Sequence, residues 1–205
     1  AFERIIEGHT VEMVVSGFLY NNNLIMNDTH QENFYPQMCV DANFDGSGNT
    51  LNKVLPQVHA VETTWEFWKQ MYPNTKVVSE ASARDQGFYP YRSQGDYRTA
   101  NNYILFPYGP TDNRNERKDL TFGVVINNEP KAYLFKDMPD RAVLNDVIND
   151  VPVAVIYNKD SRYAVAFQRR VGEQDLTFIR LTSQAAGGMP FEFYDQETGS
   201  RWNLK

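Results

Sequence analysis

Asp41, Asn43 and Asp45, followed at once by Gly46, are spaced like the opening of a calcium loop. Hard cations take carboxylate and carbonyl oxygens on a tight turn, and alternating oxygen-bearing side chains ahead of a glycine can present them. The twelfth position of such a loop is Asn52, where a bidentate glutamate would complete the usual site. Two readings follow for residues 41–52: a Ca2+ site built on Asp41, Asn43 and Asp45, or a solvated Gly-rich loop. Cys39 stands beside Met38, with Met26 nearby in sequence. Such a soft pair suits copper, or simply a strand buried in a core. His9, His30 and His59 share no ligand spacing, although His30 lies between Asp28 and Glu32, where acid–base work is conceivable and a surface turn is the plainer reading. No nucleophile elbow and no Ser/His/Asp signature occurs. The side-chain inventory therefore favours a non-catalytic protein. Tyr89, Tyr91, Tyr97 and Tyr108 lie among Asn, Gln and Arg in an aperiodic stretch. They would either stack on a glycan or anchor a partner protein, or pack down over a sheet and hold a long loop still.

Composition says what must position these residues. A chain of 205 residues, 41% of them hydrophobic, is long enough for one large domain or two small ones with real cores. The aromatic share of 14%, from 12 Tyr, 13 Phe and 3 Trp, favours strands. Net charge is −6, and the basic residues are scattered, which excludes the clustered basic patch that nucleic acid or an anionic membrane surface requires. No apolar run approaches the roughly 18 residues of a spanning helix. A single cysteine permits no disulfide within the chain.

Short apolar runs separated by turn residues predict antiparallel hairpins and a mainly β fold. Strands are expected over 11–15 and 24–26 around the Asn-rich turn at 20–23, and over 34–40, where Pro36 demands an edge or a bulge. Others are expected over 76–79, 120–126, 131–135, 143–148, 151–157, 162–169, 176–181 and 191–194. One helix is expected over 63–72. Thr63 and Glu66 have the capping-box spacing, Trp65, Trp68 and Tyr72 share one face, and Pro73 ends the helix. That pattern predicts that Trp65 and Trp68 are both buried. The organisation expected is a first β module over 1–60, a connecting region with the helix and aromatic loop over 61–119, and a second β module over 120–205.

The two modules are expected to be copies. AFQRRV at 166–171 answers AFERII at 1–6; Leu176, Phe178 and Ile179 answer Val11, Met13 and Val14; and Asp195 and Trp202 stand seven apart, as do Asp28 and Tyr35. The alignment needs a two-residue insertion. It predicts that Phe2 and Phe167 face a core, and that Arg4 pairs with Asp28 as Arg169 pairs with Asp195, because a buried guanidinium needs a carboxylate. It also sets Ala1 in the middle of a hairpin strand, so that both modules read as truncated, the first at its start and the second at its end.

The chain resembles the prokaryotic family catalogued as domain of unknown function 3179. The pieces SGFLYNNNLIMND, LPQVHAVETTWEFWKQMYPNTKVVS, FYPYRSQGDY, FGVVINNEPKAYLF, VLNDVINDVPVAVIYN, AFQRRVGEQDLTF and YDQETGSRWN, taken in order, carry the likeness almost end to end. The resemblance implies a Cys-Pro-x-Cys-Gly turn upstream of Ala1, whose counterpart at 158–161 has no cysteine. It implies an exported, extracytoplasmic protein, and it brings no established activity. The reading is therefore an exported non-catalytic binding or structural module. Two alternatives stand beside it: a metal- or thiol-dependent enzyme or redox protein with its site near the upstream cysteines, and a glycan-binding module using the 88–108 tyrosines.

Overall fold

The computed structural model describes residues 1–38, 43–77, 79, 81, 104–106, 109, 112–139, 142–181 and 192–204. It is mainly antiparallel β, with several small sheets and one α-helix among the described residues. The chain forms two compact units, one of Ala1–Ala60 with Tyr97–Lys118, the other of Val61–Asp96 with Asp119–Lys205. The boundary between the units at 96/97 falls within the expected connecting region.

The first unit opens with a two-residue hairpin, β1 (Ile5–Ile6) and β2 (His9–Thr10), followed by a three-stranded sheet of β3 (Met13–Tyr20), β4 (Asn23–Asp28) and β5 (Phe34–Pro36). Asn21 and Asn22, both at positive φ, make the β3–β4 turn of the kind that two-residue hairpins prefer. Pro36 ends β5 on the sheet's edge, where the absence of an N–H does no harm. The core gathers Ile6, Val11, Tyr35 and Leu55, with Phe2, Met13 and Met26 packed against them.

The second unit contains α1 (Trp65–Met71) and the hairpin of β6 (Thr121–Ile126) and β7 (Glu129–Leu134). A sheet follows, made of β8 (Ala142–Ile148), β9 (Val151–Asn158) and β10 (Tyr163–Gln168). The chain then runs through β11 (Arg170–Val171), β12 (Gln174–Asp175), β13 (Phe178–Arg180), β14 (Glu192–Asp195) and β15 (Arg201–Asn203). Positive φ at Asn127–Asn128 and Asn149–Asp150 closes two of its hairpins. β9 is the central strand of its sheet, and its side chains alternate between two cores. Ala154 and Ile156 join Leu176, Phe178 and Phe193, whereas Val155 and Tyr157 join Tyr133 and Met138. Burial on both faces explains why VPVAVIY has no polar alternation.

The helix differs from its sequence reading in two respects. Its N-cap is Thr64, extended at ψ 148°, whose hydroxyl accepts the Phe67 N–H at 3.3 Å. Thr63 instead donates its hydroxyl to the Ser161 carbonyl at 3.0 Å, tying the helix entry to the β9–β10 turn. The buried stripe is Phe67 and Met71, one turn apart against Tyr163; Trp65 is 49% exposed with Lys69 over its ring, and Trp68 is half-buried with its indole N–H on Thr75. A helix this short buries one narrow stripe, which Phe67 and Met71 occupy; Trp68 packs against its margin and Trp65 is left outside it. Thr64→Ala is expected to cost about 1 kcal/mol in urea unfolding, whereas Glu66→Ala, outside any capping box, should leave the midpoint nearly unchanged. Residues 76, 77 and 79, expected in a strand, are not in one.

The two small sheets match pair for pair. Ile5↔Thr10 and Ile6↔His9 correspond to Arg170↔Asp175 and Val171↔Gln174. Met13↔Asp28, Val14↔Asn27 and Val15↔Met26 correspond to Phe178↔Asp195, Ile179↔Tyr194 and Arg180↔Phe193. Ile25↔Pro36, Met26↔Tyr35 and Asn27↔Phe34 correspond to Glu192↔Asn203, Phe193↔Trp202 and Tyr194↔Arg201. Loop bonds follow the same order. Val11 donates to Arg4 and Leu176 to Arg169, Thr29 to Glu12 and Gln196 to Thr177, Asp28 to Asn33 and Asp195 to Ser200. Phe2 packs on the first core as expected, whereas Phe167 is 50% exposed. Phe167 lies on the same face of β10 as Val165, which packs against the core, but two residues further along, near the strand's end.

Candidate functional site

Asp28 and Asp195 end equivalent strands, and both are fully buried. Asp195 is saturated. Its Oδ1 accepts the Thr198 N–H at 2.6 Å and the Thr198 hydroxyl at 2.7 Å, and its Oδ2 accepts the Trp202 indole N–H at 2.7 Å. The indole N–H, then Thr198, outweigh desolvation and hold the carboxyl below its ordinary range. Asp28 accepts the His30 N–H on Oδ1 at 2.9 Å, while its Oδ2 is buried with no partner among the described residues. The chemistry of the two neighbourhoods explains the difference. Where the second unit has Trp202, the first has Tyr35, whose hydroxyl meets the Asn33 amide at 3.5 Å instead of reaching back to the acid. Burial raises the Tyr35 pKa above the ordinary phenol value.

The expected arginine pairs do not form. Arg169 gives its guanidinium to the carbonyls of Leu176, at 2.9 Å, and Asp146, at 3.4 Å. Arg4 is exposed and makes no ion pair with Asp28. Local donors three and seven residues along the chain reach Asp195 first, as is usual for an aspartate that opens a turn. Trp202→Phe should therefore destabilise the protein by about 1.5–3 kcal/mol, the range for a hydrogen bond to a charged group. Because Asp195 has its pKa lowered on folding, its contribution is complete above the unfolded value near 3.9. It is lost as pH falls through the folded value, so the Trp202→Phe defect should shrink in acid.

Asn43 and Asp45, two of the three expected calcium ligands, are engaged internally. Asn43 is buried; its amide donates to the Lys53 carbonyl, and its Oδ1 accepts the Lys53 N–H at 3.0 Å. Asp45 folds its own turn, with Oδ1 accepting the N–H groups of Ser47 and Asn49 and Oδ2 accepting the Asn49 amide, all at 2.9 Å. The Asn49 side chain and backbone are the main causes of its lowered pKa. Asp41 and Cys39 lie outside the described residues, as do Tyr89, Tyr91, Tyr97 and Tyr108. Met38 is exposed, Met26 is half-buried, and His9, His30 and His59 are exposed.

Two features escaped the sequence. In the second unit, Asp146 accepts Lys131 at 2.8 Å and the Tyr133 hydroxyl at 2.7 Å. Burial opposes the Asp146 charge, and the bonds from Lys131 and Tyr133 prevail, lowering its pKa. Lys131 and Tyr133, two apart, share a strand face, but nothing in the sequence pairs that face with Asp146. In the first unit, the apolar run of β3 lies open, with Val14, Val15, Phe18, Leu19 and Tyr20 all exposed, Val15 at 71% and Phe18 at 60%. Among the described residues β3 is an edge strand, with no strand paired to its outer side. In the second unit the equivalent edge is closed. Asn145 of β8 donates its amide to the Phe178 carbonyl and accepts the Phe178 N–H, each at 2.8 Å.

A family model described as "Protein of unknown function (DUF3179)" matches residues 1–205. The chain belongs to that family. No curated protein and no solved structure matches it. Among the described residues of this DUF3179 chain, no three His, Cys, Asp or Glu side chains are grouped to hold a metal, and no helix is long and apolar enough to cross a membrane. The described polar clusters around Asp195, Asn43 and Asp146 are consumed by the fold's own donors. The edge of β3 is different, since its apolar side chains are exposed and no strand among the described residues pairs with its outer side.

Proposed function

We propose that the chain is an exported, non-catalytic binding module made of two related β units, with β3 of the first unit as its partner-facing surface. The observation that carries the reading is the contrast between matched strands. β13 is capped by Asn145 and its Phe178 is buried, whereas β3 exposes five large apolar side chains along an edge that has no such cap among the described residues. An uncharged, exposed edge strand is costly to keep in a monomer, because it invites unwanted pairing. The pairwise agreement of the two sheets supports descent from one duplicated module. Export rests on the family likeness, and fractionation of cells expressing the full-length protein tests it. The glycan reading rests on the tyrosine-rich sequence alone.

Binding is tested by placing a photo-cross-linking residue at position 15 in the full-length protein, in its native cells, with position 125 as control. Val125 is equally exposed but lies on the β6–β7 hairpin. A discrete cross-linked species from position 15 and none from 125 is the expected result. Equal or absent cross-linking at both positions would remove β3 as the surface.

A further inference from the structure

We propose that the β3–β4 turn is a reversible clamp for main chain, in which Asn21 and Asn22 hold the chain's own Phe106 and Gly109 in a closed state that opens without unfolding the sheet. The clamp is independent of what β3 binds. The turn itself needs only two residues that accept positive φ, and Asn21 at 46° and Asn22 at 64° supply them beyond the last ladder pair, Tyr20↔Asn23. Glycine would serve the backbone equally well there. What glycine lacks is a carboxamide, which carries donor and acceptor side by side, as a peptide group does. Asn22 uses both. Its amide donates to the Phe106 carbonyl at 2.7 Å, and its Oδ1 accepts the Phe106 N–H at 3.1 Å. Asn21 Oδ1 accepts the Gly109 N–H at 3.1 Å. Residues 84 and 88 positions away in the chain are thus held through their backbone.

The residues held belong to a segment that returns to the first unit. The chain leaves that unit after Ala60, enters the second, comes back for Tyr97–Lys118 and leaves again at Asp119. The bond pattern also has a buried twin. Asn145 brackets the N–H and C=O of Phe178 in the same way, each at 2.8 Å. Their surroundings differ. Phe178 is 7% exposed and packs with Leu176 and Phe193, whereas Phe106 is 46% exposed and its bonds to Asn22 face water. Water competes for every group of an exposed bond, and a stretch held by few such bonds opens at low cost. The Asn145 bracket is therefore a fixed part of its core, and the Asn22 bracket is a latch. Asn128 shows that turn and latch are separable. It holds the same second position in the β6–β7 turn, at φ 65°, and its side chain makes no hydrogen bond among the described residues.

Amide hydrogen exchange of the whole protein and of Asn22→Gly, Asn21→Gly and Asn128→Gly tests the latch bond by bond. In the unsubstituted protein the Phe106 N–H should exchange about ten- to a hundredfold slower than an unprotected amide, as two net hydrogen bonds allow, and much faster than the Phe178 N–H. Asn22→Gly should return Phe106 to the unprotected rate, and Asn21→Gly should do the same for Gly109. Neither should slacken the β3–β4 ladder or move the unfolding midpoint more than Asn128→Gly does, and Asn128→Gly should leave both amides as they were. A Phe106 amide unprotected from the start, protection that survives Asn22→Gly, or protection as deep as that of Phe178 would each overturn the proposal. So would a midpoint lowered by Asn22→Gly and not by Asn128→Gly, since the asparagine would then support the fold and not latch a segment.

Discussion

Replacing Tyr35 with alanine is expected to destabilise the protein by about 3–5 kcal/mol, the range for deleting a buried aromatic ring. Tyr35 is 1% exposed and packs with Ile6, Val11 and Leu55 at the centre of the first unit's core. Its ring holds β5 to the hairpin that precedes β3, so the loss should extend to the whole unit. Tyr35→Phe should be nearly neutral by comparison, because the hydroxyl's contact with Asn33 is already at 3.5 Å. That contrasts with Trp202→Phe at the matched position, where a short bond to a carboxylate is removed. Urea unfolding of the three variants gives the comparison directly; equal losses for Tyr35→Phe and Trp202→Phe would contradict it.

Tyr157→Ala is expected to have an effect of the same size, about 3–5 kcal/mol, in the second unit. The residue is fully buried on β9, the strand that separates the two cores of that unit. It packs with Tyr133, Met138 and Val155. Tyr133 donates its hydroxyl to Asp146, so a collapse of this core should also disturb the Lys131–Asp146 pair. The loss of stability should therefore be accompanied by a rise in the Asp146 pKa toward its ordinary value, observable by carboxyl chemical shift. An unchanged Asp146 would show that the pair stands independently of the core.

The hairpins were legible because their turn chemistry is local. Asn21–Asn22, Asn127–Asn128 and Asn149–Asp150 need only their own backbone to adopt positive φ. β9 was legible as an unbroken apolar run, and Pro36 fixed its own strand at an edge. The helix was placed correctly but turned wrongly. Thr63 and Thr64 are chemically equivalent as caps, and only the Ser161 carbonyl, far along the chain, decides between them. The aspartates were recognised by spacing, but their partners were not. A carboxylate opening a turn meets nearby Thr and Trp donors before a distant arginine, and that preference outweighed the pairing of charges. Asn43 and Asp45 illustrate the same competition, since both spend their oxygens on backbone N–H groups within reach. The open edge of β3 could not be read at all, because alternation in MVVSGFLY predicts a buried face and says nothing about which neighbours are missing.

Amide hydrogen exchange of Met13 against Phe178, in the same sample, tests the contrast between the two matched edges most directly. The Phe178 N–H is held by Asn145 Oδ1 at 2.8 Å and should exchange only through opening of the β8–β13 contact, orders of magnitude slower than an unprotected amide. The Met13 N–H, at the same register position and with no strand beside it among the described residues, should exchange close to the unprotected rate in the free protein. Comparable protection of the two amides in the free protein would show that β3 is already covered, and would contradict the assignment of β3 as the surface that binds.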